Sequence, residues 1–251
     1  MSINNTENTM KPGDRQSISP AVIRRLPRYY RYLCELIARG KTRISSGELA
    51  NMMHVTASQI RQDLNCFGGF GQQGYGYNVN YLFAKISEIL GVSAGFKAVI
   101  IGAGDLGRAL VHLSMFEKRG VDIVALFDTD NEAEGKDCAG VPVYSIDSLE
   151  SFCDENKVDI AVLACRKDLV KGIASRCVKL GMLGLWNYMG VELEYSDKDI
   201  IVENVHLGDS LMIMNCRICR NISGDGTGSD GDISDDSSMD DTNSAEEESV
   251  F

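Results

Sequence analysis

Between Ser19 and Gly40 the apolar residues recur every three or four positions, which is the spacing of one buried helix face. Ser19-Pro20 predicts the start of this helix, because Ser caps helices and Pro suits the first turn. Pro27 is expected to split the stretch into a short helix and a longer one that ends at Gly40. The recurring apolar positions are Ile23, Leu26, Tyr30, Leu33 and Ile37.

Two further helices are predicted, each introduced by a hydroxyl side chain three residues before Glu or Gln. Ser45 with Glu48 and Thr56 with Gln59 both fit a capping box. The third helix should bury Ile60, Leu64 and Phe67. Two helices joined by a short turn, the second with a polar outer face, are typical of a helix-turn-helix that reads the DNA major groove. The candidate DNA-binding residues are Arg28, Arg43, Thr56, Ser58, Gln59, Arg61, Gln62 and Tyr75.

Residues 68–77 contain five glycines among aromatic and polar residues. This composition favours a tight β-hairpin whose backbone can approach another surface closely. After a recognition helix, such a hairpin would be the wing of a winged helix-turn-helix domain. A flexible hinge is the alternative interpretation.

A buried strand at 98–101 leads directly into Gly102-x-Gly104-x-x-Gly107 and then into a helix predicted to reach about Glu117. Strand, loop and helix in this order give the glycine pattern its dinucleotide-binding meaning. The next strand, 123–127, ends at Asp128, where a carboxylate can accept hydrogen bonds from both adenosine ribose hydroxyls and would repel a 2′-phosphate. The cofactor predicted is therefore NAD(H), although Asp128 is alternatively a turn residue. The candidate cofactor-binding residues are Gly102, Ala103, Gly104, Asp105, Leu106, Gly107 and Asp128.

Alternating strands and helices continue to the end of the apolar part of the chain. Val141–Tyr144 is predicted as an edge strand because Pro142 cannot donate a ladder hydrogen bond. The other predicted elements are a helix at 147–155, a strand at 158–165, a helix at 168–180, strands at 183–188 and 199–205, and a last helix from about Gly208. This order predicts an α/β fold with a doubly wound parallel sheet, the Rossmann arrangement.

The last helix carries an apolar stripe, Leu207, Leu211, Met214 and Ile218, with no later domain to cover it. Packing this stripe on a second copy would bury it, and a helix-turn-helix protein reading a palindrome needs a dimer in any case. A homodimer is therefore predicted. Cys216 and Cys219 lie on the same helix without the context of a redox or zinc site, so a structural role is expected.

Charge is distributed unevenly along the 251 residues, whose formal net charge is −11. Residues 11–85 carry +7, residues 86–223 carry −7, and residues 224–251 carry −10 with no basic residue. A basic N-terminal region predicts a polyanionic partner such as DNA. The acidic end is expected to be disordered, either as a solubilising tail or as a mimic of DNA that competes for the basic face.

Neither a membrane span nor a secretory signal is found, so a cytoplasmic protein is expected. The 8 cysteines are scattered and are interpreted as reduced, buried side chains. The predicted organisation is a flexible lead at 1–17, a winged-helix domain at 18–88, a Rossmann domain at 89–205, a dimerisation helix at 206–222 and a tail at 223–251.

Taken together, the motifs resemble those of the Rex family of redox-sensing transcriptional repressors. The resemblance runs from about Ser19 to Ile218 and is carried by residues 23–33, 55–64, 67–71, 76–79, the Gly102–Gly107 loop and Phe127-Asp128. It implies a homodimer with exchanged C-terminal helices, which binds operator DNA with NAD⁺ and releases it with NADH. It also implies that Arg31 belongs to the NADH-sensing contacts.

The chain departs from the family pattern at several positions. Gln72-Gln73 replaces a basic pair in the wing, and each lost phosphate contact should reduce the salt slope of binding by about one. Leu113 and His206 stand where the resemblance implies a Tyr and an Asp of the sensing contacts. Ala164-Cys165-Arg166 replaces Thr-Val-Pro, and Met189-Gly190 replaces Ala-Pro.

Three functions are therefore weighed. The leading one is a repressor released from operator DNA by NADH, with no enzymatic activity. The second is a DNA-binding protein that ignores the dinucleotide and uses the Rossmann domain as a dimer scaffold, which the departures favour. The third is an NAD-dependent oxidoreductase, which lacks a recognisable catalytic set and a substrate domain.

Overall fold

A computed structural model describes residues 18–66, 71–72, 76–113, 115–130, 135–195 and 200–222. The described chain divides into two compact units, the first running to Leu82 and the second starting at Phe83. The predictions of a flexible lead, of a disordered acidic tail and of a buried Phe67 concern residues outside this described part.

The first unit is a small helical domain with a three-stranded sheet. Its elements are α1 (Pro20–Ala38), β1 (Arg43–Ile44), α2 (Ser46–Met53), α3 (Ala57–Asn65), β2 (Gly71–Gln72) and β3 (Gly76–Asn78), followed by α4 (Val79–Ile89). The sheet order is β1-β3-β2, with both pairs antiparallel. The predicted hairpin is present as β2 and β3. Strand β1 and helix α4 were not predicted from the sequence. The core includes Leu26, Tyr29, Leu33, Leu49, Met53, Ile60 and Leu64.

Pro27 does not split the first helix, contrary to the expectation. Helix α1 runs unbroken for 19 residues with Pro27 inside it. Leu26 and Tyr29, on either side of the proline, are both fully buried. Burial along the whole helix outweighs the one backbone hydrogen bond that Pro27 cannot make.

The predicted capping box is complete at α2, whereas at α3 only one of its two hydrogen bonds forms. At α2 the Ser45 side chain accepts from the Glu48 N–H at 3.1 Å, and Glu48 in turn accepts from the Ser45 N–H at 2.9 Å. At α3 the Thr56 side chain accepts from the Gln59 N–H at 3.1 Å. The Gln59 side chain, however, donates to Asp63 rather than back to the cap.

The second unit is a seven-stranded sheet in the order β10-β9-β8-β4-β5-β7-β6. All neighbouring pairs are parallel except β6 with β7. The strands are β4 (Phe96–Ile101), β5 (Val121–Asp128), β6 (Asp137–Cys138), β7 (Val141–Ser145), β8 (Ile160–Leu163), β9 (Gly184–Asn187) and β10 (Ile201–Asn204), and the helices are α5 (Asp105–His112), α6 (Leu149–Glu155), α7 (Val170–Lys179) and α8 (Leu207–Ile222). The order in which strands are added to the sheet reverses between β4 and β8, because β5 lies on one side of β4 and β8 on the other. The ligand crevice of this doubly wound fold therefore lies at the carboxyl ends of β4 and β8.

In the second unit, the end of one helix and the position of one strand in the sheet differ from the expectation. Helix α5 ends at His112 rather than near Glu117, and residues 117–119 form a separate 3₁₀ turn. Strand β7 is not at the edge, because β6 pairs with it. The Val143 N–H donates to Lys136 O at 3.0 Å and Val143 O accepts from the Gly135 N–H at 3.0 Å, so this side is paired without a donor from Pro142.

Candidate functional site

The predicted cofactor loop lies between β4 and α5, where each glycine meets a different steric demand. Gly102 has φ +112°, and a Cβ there would collide with the carbonyl oxygen of Ala164 on the next strand's loop. A Cβ on Gly107 would collide with the carbonyl oxygen of Gly102. Gly104 caps α5, and a Cβ there would meet nothing within 4 Å. The open space above Gly104, beside a helix N-terminus, fits an approaching pyrophosphate.

Asp128 fixes the loop to the end of β5. Its Oδ2 accepts from the Ala103 N–H at 2.5 Å, and its Oδ1 accepts from the Asp130 N–H at 2.9 Å. The Gly102 N–H donates to the Phe127 carbonyl at 2.7 Å, so two consecutive residues of the loop are bonded to the end of β5. The carboxylate is therefore positioned at the loop, and it retains lone pairs for ribose hydroxyls.

A pocket of about 270 Å³ opens at the carboxyl ends of β4, β5 and β8. Three predicted residues, Gly102, Gly104 and Asp128, line it, with the apolar and rim residues Ile101, Phe127, Thr129, Ile146, Ala164, Cys165, Arg166, Leu169 and Ile173. Burial raises the pKa of the Cys165 thiol to about 11, so this thiol is protonated at neutral pH. The apolar members come from β4, β5, α7 and the ends of β7 and β8, and only the fold could bring them together.

The other predicted loop residues serve the structure around the pocket. Ala103 is buried and Leu106 packs against the same apolar cluster, on the α5 side of the sheet. Asp105 is fully exposed at the first position of α5 and pairs with Arg108 at 3.0 Å. Its negative charge is favourable at a helix N-terminus. The paired Arg108 reduces the repulsion that this charge would exert on an anionic ligand.

The three positions of the implied sensing contacts lie on separate elements. Arg31 is exposed on α1, and Leu113 is 49% exposed at the end of α5. His206 immediately precedes α8, and its Nε2 lies 2.8 Å from Glu192 Oε1. Glu192 Oε2 also accepts from the Asn204 side chain at 2.8 Å. A carboxylate is therefore present beside residue 206, although it is supplied by Glu192.

The candidate DNA-binding residues differ in their exposure and in the partners of their side chains. Thr56, Ser58, Gln62 and Arg43 are exposed. Arg61 is exposed too, and its Nη1 donates to the Ser46 hydroxyl at 3.2 Å, which links α3 to α2. The half-buried Arg28 donates from Nη2 to Met53 O at 2.5 Å, at the end of α2. Tyr75 lies outside the described residues.

A buried carboxylate that the sequence pattern did not predict holds α3 against α1. Asp63 is fully buried and accepts from Arg25 Nε and Nη2, each at 2.8 Å. The Tyr29 hydroxyl donates to it at 2.9 Å and Gln59 Nε2 at 2.8 Å. Burial and the neighbouring Asp63 carboxylate raise the pKa of Tyr29, which keeps its hydroxyl a donor. Gln59, predicted to contact DNA, thus has its amide committed to this network.

The remaining findings concern the cysteines, metal sites and membrane-spanning helices. Cys216 and Cys219 are exposed on α8, against the expectation that the cysteines are buried, whereas Cys138 and Cys177 are buried. Among the described residues no group of three or more His, Cys, Asp or Glu is arranged to hold a metal ion. Within the same residues no helix has the length and apolarity needed to cross a bilayer.

Comparison with known proteins gives separate family matches for two parts of the chain. Residues 17–65 match the family described as "Putative DNA-binding protein N-terminus", and residues 94–190 match "CoA binding domain". The chain is 47% identical over 204 residues to the redox-sensing transcriptional repressor Rex of Thermoanaerobacter pseudethanolicus, covering 81% of this chain and 91% of that protein. It is 46% identical over 204 residues to Rex of Clostridium botulinum, covering 97% of that protein.

Solved structures of a Rex-family repressor, RSP, also match this chain. The crystal structure of RSP in complex with β-NAD⁺ and operator DNA matches with a TM-score of 0.77 and 45% identity, covering 83% of this chain and 95% of that one. RSP in complex with β-NADH matches with a TM-score of 0.76 and 41% identity, covering 83% and 98%. At this identity and coverage, with both functional regions included, the chain belongs to the Rex family of redox-sensing transcriptional repressors.

Proposed function

We propose that this protein is a cytoplasmic transcriptional repressor that binds palindromic operator DNA as a homodimer and leaves it when the NADH/NAD⁺ ratio rises. Family membership supports this, since relatives are named redox-sensing repressors and RSP has been solved with operator DNA and with both forms of the dinucleotide. One observation carries the proposal: a capped helix pair with a polar α3 and a glycine loop bonded to Asp128 occur in the same chain.

For DNA, we infer that α3 enters the major groove. The exposed side chains of Ser58, Arg61 and Gln62 supply donors and acceptors for base edges. Thr56 lies at the start of α3, and Arg43 lies on β1, which pairs with the hairpin strand β3. We expect these two residues to contact phosphates. Arg28 and Gln59 act through position, because their side chains already bond Met53 O and Asp63. Tyr75 remains a candidate for the wing.

For the cofactor, we infer that NAD(H) lies across the Gly102–Gly107 loop with its adenosine half in the 270 Å³ pocket. When bound, the dinucleotide supplies the redox signal through its nicotinamide. The loop and the N-terminus of α5 would hold its pyrophosphate, and Asp128 its adenosine ribose. For release, NADH must bind the DNA-incompetent form of the dimer better than the competent form.

The proposed division of labour follows the sequence boundaries: DNA binding at 18–88, dinucleotide binding at 89–205 and dimerisation at 206–222. Helix α8 supports the last part, because Leu207, Leu211, Met214 and Ile218 are between 46% and 64% exposed. Large apolar side chains at this spacing are normally covered, and a second copy would cover them.

A second candidate function is repression that ignores the dinucleotide's redox state. It is favoured by His206 and Leu113, which stand at two of the sensing positions, and by the pairing of His206 with Glu192. In this case both forms of the dinucleotide would bind, but neither would shift the DNA equilibrium.

Titration of the full-length protein onto DNA separates these functions. A labelled palindromic duplex, selected by the protein from a random-sequence pool, is titrated with NADH, with NAD⁺ or with neither. We expect tight binding with NAD⁺ and release by NADH, measured by fluorescence anisotropy. Equal binding under all three conditions would favour the second function, and failure to select any sequence would refute both.

A further inference from the structure

The segment that leaves β8 forms one wall of the dinucleotide pocket. It reads Ala164-Cys165-Arg166, and it lies directly against the glycine loop, since a Cβ on Gly102 would meet Ala164 O and Cys165 N. Arg166 is one of the residues that line the pocket, and its side chain is largely exposed. A residue with a guanidinium therefore belongs to the same pocket as Asp128 and the glycine loop.

Arg166 is held in one orientation by its neighbour Asp168. Its Nε donates to Asp168 Oδ1 at 3.1 Å and its Nη2 donates to Oδ2 at 2.7 Å. Two parallel bonds of this kind fix the plane of a guanidinium. They use one edge of the group and leave its flat faces available, and the Arg166 side chain is 75% exposed.

The pocket that Arg166 lines is suited to a flat, apolar ring. Its other walls include Phe127, Ile146, Leu169 and Ile173, which are apolar, while the phosphate-binding end is formed by Gly102 and Gly104. Asp168 places a carboxylate beside the guanidinium of Arg166, so the side chain offers a flat face whose positive charge is already paired. Guanidinium planes stack on aromatic rings.

We propose that Arg166, oriented by Asp168, packs its guanidinium face on the adenine ring of the bound dinucleotide. The proposal rests on the NAD(H) function above and assigns Arg166 as a binding residue and Asp168 as a positioning residue. Because adenine is common to NAD⁺ and NADH, this contact strengthens binding of both forms equally. It raises occupancy of the site and leaves discrimination between the two redox forms to other residues.

The test is nucleotide binding to full-length protein, measured by calorimetry for NADH, NAD⁺ and AMP. We expect Arg166→Ala to weaken all three by the same factor, about 3- to 30-fold. Arg166→Lys should lose most of the contact as well, because an ammonium keeps the charge but has no flat face. Asp168→Asn should give a smaller loss of the same kind, since it loosens the orientation only.

The control is Lys167→Ala, which removes an exposed positive charge from the adjacent residue, outside the pocket lining. It should leave all three affinities unchanged. Unchanged binding by Arg166→Ala, a loss confined to one redox form, or full rescue by Arg166→Lys would overturn the proposal. Failure of the unaltered protein to bind NADH would instead count against the proposed function itself.

Discussion

Individual residues of the glycine loop have separate tasks, although the sequence pattern gives them equal weight. Gly102 and Gly107 are required because backbone atoms occupy the space that a Cβ would need. Gly104 is under no such demand, since its own backbone has φ −71° and the space above it is open. Under the proposed function, a side chain at this position would be excluded by the ligand rather than by the fold.

This difference predicts opposite outcomes for two substitutions. Gly104→Val should abolish NADH binding with little change in thermal stability, because the new side chain fills the pyrophosphate space only. Gly107→Ala should lower the melting temperature, because α5 must move away from Gly102. Calorimetric NADH titration and thermal unfolding of both variants check this. Normal NADH affinity in Gly104→Val would show that the pyrophosphate lies elsewhere.

Residue identity predicted the conformation of the glycine loop better than the partners of the polar side chains in the first unit. The roles of Gly102, Gly107 and Asp128 follow from a local pattern, because strand, loop and helix are consecutive in the chain. For Arg28 and Gln59 the sequence shows a polar side chain but not the partner that occupies it. Arg166 departs from the family pattern in the sequence, yet its place in the pocket depends on how β8 lies beside β4.

At the scale of elements, α3 is attached to α1 by the buried Asp63 and its donors from Arg25 and Tyr29. A buried carboxylate with several charged and neutral donors is costly to disrupt, because its partners lose their acceptor. This network also explains why α1 must continue past Pro27: Arg25 and Tyr29 stand on either side of it and reach the same carboxylate.

Asp63→Ala should therefore destabilise the first unit by about 3–5 kcal/mol. Hydrogen exchange of the α1 and α3 amides measures this, and fluorescence of the single tryptophan, Trp186, reports the second unit separately. Glu35→Ala is the matched control: it removes a surface pair with Arg39 at 3.7 Å and should cost about 1 kcal/mol or less. Equal effects of the two changes would show that Asp63 has no special structural role.

At the scale of the whole molecule, the order of strands and helices was predictable from the sequence. The end of α5 and the neighbours of β7 were not. Alternating apolar strands and amphipathic helices led to the doubly wound sheet, which the structure confirms in the order of its seven strands. The boundaries of α5 and the place of β7 depended on tertiary pairing. Helix α8 has further exposed apolar residues besides its predicted stripe, Met212 and Ile213, so more than one of its sides calls for cover.

Assembly can be tested through this helix. Leu211→Glu with Ile218→Glu places two charges in the apolar stripe and should raise the dimer dissociation constant by about tenfold or more. Analytical ultracentrifugation measures the change, and operator affinity should fall with it. Arg220→Glu also changes the charge by two units, but on the side of α8 opposite the stripe, and should leave assembly intact. A dimer unaffected by the double substitution would place the subunit contact elsewhere.

The bond between Asp128 and the Ala103 N–H has a consequence for how fast the protein responds. Because the loop is already tied to the neighbouring strand, little chain ordering accompanies the arrival of a small molecule. Association is then governed by collision and orientation rather than by refolding of the receptor. A repressor with a preformed site responds to a change in the NADH/NAD⁺ ratio as fast as the bound dinucleotide dissociates. The dissociation rate of the dinucleotide therefore limits the rate of the response.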